Sequence, residues 1–159
     1  MSQQSAEAII KALDMQALVP EGGYWCPGYR SAHADASGAC ACGSILYLIT
    51  PESFSHFHRL TVDEIFHFCA GDAVEQIVIT PDGVLRLVTL GANIAGGHVP
   101  MSVVPAGSWQ AARLVPGGSH ALLAATTVPG YTDDCVTHAS ADEVAAQFAA
   151  HHREIVRFA

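Results

Sequence analysis

Lysine is almost absent from this chain: Lys11 is the only one in 159 residues, and Lys+Arg total 7 against 15 Asp+Glu, a formal charge of -8. A surface this poor in cations cannot neutralise a phosphate backbone, which excludes nucleic acid as a partner. Long apolar runs are missing too. The longest, such as Ile45 to Ile49, fall far short of the ~20 residues that a membrane helix needs. The start, MSQQSAEAII, has no basic segment followed by an apolar one, so no secretory signal is read and a cytoplasmic location is expected. The phosphate-cradling loops G-x-x-x-x-G-K and G-x-G-x-x-G do not occur. Nor does a G-x-S-x-G elbow: Ser108 follows a proline-glycine turn rather than opening a helix, so no serine nucleophile is expected. Internal repeats, low-complexity tracts and linkers are likewise lacking.

What remains is apolar and compact. Half of the residues are hydrophobic and only 14% are charged, enough for one sizeable core and too apolar for intrinsic disorder. A single domain over residues 1–159 is expected. Five cysteines, an odd number without a secretory signal, point to reduced thiols rather than a disulfide framework. Cys40 and Cys42, with Cys26 and His33 upstream, could form a thiolate zinc site. The one-residue gap inside the small-residue stretch ASGACACGS reads better as a loop entering a strand.

Periodicity divides the chain into three parts. Ile9, Ile10, Leu13 and Leu18 fall at helical spacing behind a possible Ser5 cap, which predicts a short helix that ends before Pro20. From about 19 to 138 short apolar or alternating runs are separated by turn signals such as Pro81-Asp82-Gly83 and Pro116-Gly117-Gly118. Strands are predicted at Ser44–Thr50, His56–Leu60, Glu64–Ala70, Val74–Ile79, Val84–Leu90, Met101–Val104, Trp109–Leu114 and Ala121–Val128. No helical crossover separates them, so the sheets must be antiparallel. Ser140 followed by Glu143 matches a capping box, and a closing helix is predicted at about 141–156.

The stretch from Ser55 to Gly71 carries the most chemistry. On a regular strand His56 and His58 point the same way, and Glu64 opens the next strand on the same face as Phe66 and Phe68. Two imidazoles and a carboxylate then converge in apolar surroundings, a set that suits a divalent metal with positions left open for substrate. An unpaired Glu64 anion there would be costly, so it needs a metal, an imidazolium or its own proton.

These residues resemble the cupin superfamily. His56, His58, Glu64 and Gly71 follow its first motif, while Pro105 and Gly107 begin the second, with Gln110 where a last histidine is expected. The chain is more closely similar to the cupin_5 (DUF985) group. The matching segments are Pro20-Glu21-Gly22-Gly23-Tyr24, Tyr29-Arg30-Ser31, Phe54-Ser55, His58-Arg59, Asp63-Glu64-Ile65, Gly71-Asp72, Leu90-Gly91, Val104 to Gln110 and Val128-Pro129-Gly130-Tyr131. They run in order over about 19–137. Three features depart from the pattern: a five-residue gap between His58 and Glu64, Gln110 in place of histidine, and Phe66 where the group often has Trp.

The resemblance implies an all-β double-stranded β-helix, the cupin jelly roll, with short terminal helices, a small-molecule pocket and pairing into a homodimer. Two enzymatic readings follow. In one, His56, His58 and Glu64, with Gln110 or water as a fourth ligand, hold Fe, Mn, Ni or Zn as Lewis acid or oxygen activator, Arg30 clamps a substrate carboxylate, and Tyr24 or Tyr131 passes a proton. The other is a metal-free isomerase or epimerase of the sugar-nucleotide kind, with His58 as general base and a tyrosine as general acid. A non-catalytic small-ligand binder is the third reading.

Overall fold

The computed structural model describes residues 4–36 and 38–159, so Met1–Gln3 of the N-terminal stretch and Ser37 of the small-residue loop lie outside it. Among the described residues eleven strands form two antiparallel sheets. They are β1 (Gln16–Ala17), β2 (Tyr24–Arg30), β3 (Gly43–Ile49), β4 (Ser55–Leu60), β5 (Asp63–Gly71), β6 (Val74–Ile79), β7 (Leu85–Leu90), β8 (Met101–Val104), β9 (Trp109–Leu114), β10 (Ala121–Val128) and β11 (Val136–His138). One sheet runs β1-β2-β3-β10-β5-β8 and the other β11-β4-β9-β6-β7. Among the described residues the three α-helices, α1 (Ala6–Ala12), α2 (Ala141–Gln147) and α3 (His152–Ile155), lie at the two ends of the chain. The architecture is the jelly roll anticipated above, and none of these helices is long and apolar enough to cross a membrane.

Alternation along the strands sorts side chains into an interior and two covered outer faces. Val78 of β6, Ala112 and Leu114 of β9, Phe66 of β5 and Leu123 of β10 meet between the sheets. The odd positions Ile77, Ile79, Trp109 and Ala111 face outward, under Val144, Ala145, Ile155 and Phe158 of the C-terminal segment. That explains a strand such as β9, apolar on both faces. On the other sheet α1 lays Ile9 over Cys26 and Leu48.

The predicted strand boundaries agree with the structure to within one residue, and β1, β2 and β11 are additions. Tyr24–Arg30 was hidden because Pro27 and Gly28 read as loop; a register shift between Pro27 and Tyr29 accommodates them. The opening helix is shorter than its periodicity suggested. Ser5 caps it, accepting from the Ala8 N–H at 3.3 Å, but Asp14 adopts φ 51 and the chain turns so that Gln16 and Ala17 pair with β2. The closing helix is broken: the Ser140–Glu143 capping box forms, then a 3-10 turn at Ala149–His151 separates α2 from α3. All five cysteines are free thiols, and Cys40 is buried with its sulfur against Gly130.

Gly71 ends β5 at φ +94, where an added Cβ would lie 2.4 Å from the His120 carbonyl oxygen. Gly71→Ala is expected to destabilise the fold by about 2 kcal/mol or more, read as a lower urea midpoint. An unchanged midpoint would contradict this packing of the β5 end against the start of β10.

Candidate functional site

Strand β4 contains the local irregularity that creates the site. Ser55 pairs with Ala112 and His58 with Gln110, so three steps along β4 match two along β9 and one residue is extra. Alternation breaks at that bulge. Phe57 turns outward into the cluster under the C-terminal segment, whereas His58 is 1% exposed and faces the interior. His56 is exposed, its ring tilted against Phe54 at 4.5 Å. The expectation that both imidazoles share the interior face is therefore corrected: a bulge inserts half a period between them.

A loop supplies what His56 does not. The Pro20–Gly23 turn is fastened by the His56 N–H on the Glu21 carbonyl at 2.8 Å and by the Tyr47 hydroxyl on the Gly22 carbonyl at 2.8 Å. The Gly23 N–H donates to Ser53 Oγ, also at 2.8 Å. Gly23 has φ +74, and an added Cβ would strike the Tyr47 ring at 2.5 Å, so only glycine lets the loop pack this closely. This places Glu21 Oε1 3.8 Å from His58 Nε2, and Glu64 Oε2 lies 3.9 Å from the same nitrogen. Behind Glu64 runs a buried amide ladder. Gln110 Nε2 donates to Glu64 Oε2 at 2.5 Å, and Gln76 Nε2 to Gln110 Oε1 at 3.5 Å.

His58 Nδ1 lies 2.9 Å from the His56 carbonyl oxygen. That contact makes Nδ1 a proton donor and turns Nε2 toward the two carboxylates. Burial acts to keep the ring neutral. The attraction of Glu21, the hydrogen bond and charge of Glu64 and the bond to the His56 carbonyl outweigh it, pushing the pKa from 6.5 to about 9. Burial and the neighbouring Glu64 charge raise Glu21, against the pull of His58 and the Ser55 hydroxyl. His138, paired with His58 across β11 and β4, is lowered by burial and by the charge of His58.

These groups open into a cavity of about 670 Å³, a volume suited to a small metabolite. Its walls include Ile45, Leu60, Phe66 and Ala125, with Arg30 and Tyr131 also among the lining residues. Tyr24 does not line it: strand alternation turns Trp25 inward and Tyr24 outward, against the α1 cluster. Gln110 is buried behind Glu64 rather than in the cavity wall. Glu21, Tyr47 and Gln76 are the site residues that sequence reasoning missed. Glu21 carried one usable signal, an acid between Pro20 and two glycines.

The anticipated four-ligand metal set does not fit this geometry. His56 is on the wrong side of the bulge, and Gln110 turns its N–H to Glu64 and its oxygen to Gln76. Among the described residues no group of three or more His, Cys, Asp or Glu side chains could hold a metal ion, which applies equally to the Cys40/Cys42 region. What converges is one imidazole nitrogen between two carboxylates, a geometry for holding and moving a proton.

Comparison with known proteins agrees with the fold. The family model Cupin_5, described as "Cupin superfamily (DUF985)", matches residues 7–139. The X-ray crystal structure of protein SO0799 from Shewanella oneidensis is 30% identical, with a TM-score of 0.90, covering 99% of this chain and 98% of that one. Uncharacterized protein YML079W of Saccharomyces cerevisiae is 30% identical over 91 residues, 55% of this chain and 45% of its own length. The matched part thus spans less than half of that yeast relative. Bacillus subtilis oxalate decarboxylase is 14% identical with a TM-score of 0.58, over 92% of this chain and 37% of that one, a likeness of fold alone.

The imidazolium contributes stability that is fully present below its ordinary pKa of 6.5 and lost as pH rises through about 9. Urea unfolding across that window is expected to show falling stability in the wild type. In Glu21→Gln, with one carboxylate neutralised, the fall should shift to lower pH. An identical profile in both proteins would show that Glu21 does not hold the His58 proton.

Proposed function

Because the chain belongs to the Cupin_5 (DUF985) family of the cupin superfamily, whose barrel encloses a small-molecule pocket, we propose that it is a metal-independent acid/base enzyme of the isomerase or epimerase kind. The observation that carries this reading is the buried His58 Nε2 with carboxylate oxygens of Glu21 and Glu64 3.8 and 3.9 Å away. A ring with its pKa pushed up to about 9 carries its proton at neutral pH. The role of base suggested by the sequence therefore passes to a carboxylate, and His58 becomes the acid.

A chemical sequence consistent with these roles balances without an outside reactant. Glu64, oriented by Gln110, accepts a proton from carbon beside a substrate carbonyl as His58 Nε2 delivers its proton to the carbonyl oxygen. The C–H electron pair becomes the C=C bond of the enol. In a 2-hydroxycarbonyl substrate Glu64 then returns its proton to the former carbonyl carbon while the neighbouring enediol hydroxyl gives its proton to His58, which moves the carbonyl to the adjacent carbon and restores both side chains. Apolar walls such as Phe66 and Leu60 exclude water and strengthen these interactions. In this reading Arg30, which lines the cavity, holds a substrate oxyanion, with Tyr131 beside the same cavity.

Metabolites that raise the melting temperature should be incubated with the enzyme in deuterated water. The expected result is deuterium incorporation at a carbon beside a carbonyl, insensitive to chelator and reduced at least a hundredfold in His58→Gln. Binding without exchange would mark a non-catalytic binder, and loss of exchange with chelator would mark a metal enzyme. Either result would overturn this proposal.

A further inference from the structure

The strand register links the acid/base centre to a second charged group. Glu64 on β5 is opposite Thr127 on β10, Thr127 is opposite Gly43 on β3, and Gly43 is opposite Arg30 on β2. All four line the same cavity. They form one row across the sheet, with Glu64 buried at one end, Arg30 exposed at the other, and Gly43 between them lying close under the Gly130–Tyr131 backbone. Three strand spacings make the row about 14 Å long, and side chains leaning inward leave on the order of 10 Å between the two functional ends.

Charge fixes which ligand end goes where. Two carboxylates flank His58 at the floor, so an anionic group is repelled there. Arg30 enters none of the ion pairs among the described residues, and its guanidinium is free to take a carboxylate or phosphate in bidentate fashion. Asp133 also lines the cavity, and its charge opposes an anion without pairing to Arg30. Between the ends, Ile45, Ala125 and Phe66 offer an apolar surface.

We propose that the Glu64–Arg30 row selects elongated oxyanions: ligands with a carboxylate or phosphate against Arg30, an apolar body along Ile45 and Phe66, and an uncharged hydrogen-bonding end at His58 and Glu64. This assignment rests on the acid/base reading of the floor and adds to it a length and a polarity. A compact anion the size of a single small acid cannot reach both ends at once.

Isothermal titration calorimetry on the full chain tests this with ω-hydroxybutyrate, ω-hydroxyoctanoate, ω-hydroxydodecanoate, the uncharged diol matched to the octanoate, and octyl phosphate. The octanoate is expected to bind at least tenfold more tightly than the butyrate. Arg30→Gln should weaken the octanoate about tenfold and leave the diol unchanged, whereas Asp133→Asn should leave the octanoate unchanged or tighten it. Octyl phosphate against the octanoate identifies the preferred oxyanion. The proposal is overturned if no member of the series binds, if affinity ignores chain length, or if Arg30→Gln weakens acid and diol alike. Failure of the acid/base reading is separable: length- and Arg30-dependent binding would persist while bound metabolites showed no deuterium exchange.

Discussion

An imidazole held between two carboxylates inside an apolar barrel is the arrangement on which the rest of this site depends. Each charge alone would be expelled from such surroundings or neutralised by a proton. Together they satisfy one another: Glu21 and Glu64 favour the cationic ring, and the His56 carbonyl fixes which nitrogen faces them. The wider structure then serves to hold these three groups at a common point. The loop bonds to Tyr47 and Ser53 press Glu21 inward. The amides of Gln110 and Gln76 orient Glu64 from behind.

The bulge in β4 decides the chemistry. Without the extra residue, His56 and His58 would share the interior face and the set would look like a metal site. With it, Phe57 anchors the C-terminal segment, His58 alone enters the cavity, and His56 contributes its backbone rather than its ring. One inserted residue thus exchanges a second imidazole for a loop carboxylate beside His58, the arrangement from which we propose proton chemistry.

Much of this was legible in the sequence because two periods are strong signals. Short apolar runs bounded by turn signals located Val74–Ile79 and Trp109–Leu114 to the residue, and the Ser140–Glu143 spacing located the capping box. Family resemblance added the jelly roll, which periodicity by itself could not distinguish from other antiparallel barrels. His58, Glu64 and Gln110 were identified together and do lie together. The errors have local causes. Alternation assumes an unbroken ladder, so it could not foresee a bulge between Ser55 and His58. Tyr24 was placed near the pocket by family resemblance alone, and β2, which had not been drawn as a strand, supplied no face to check it against. Glu21 was overlooked because it reaches the site through packing of a turn against Tyr47, a long-range contact without sequence periodicity.

The protonation state of His58 is the central claim, and nitrogen-15 NMR of the imidazole measures it directly. The account predicts that at neutral pH both ring nitrogens of His58 carry protons and that the ring titrates near 9. A neutral His58 at that pH, with one unprotonated nitrogen, would contradict the ion-paired site and the proton chemistry built on it.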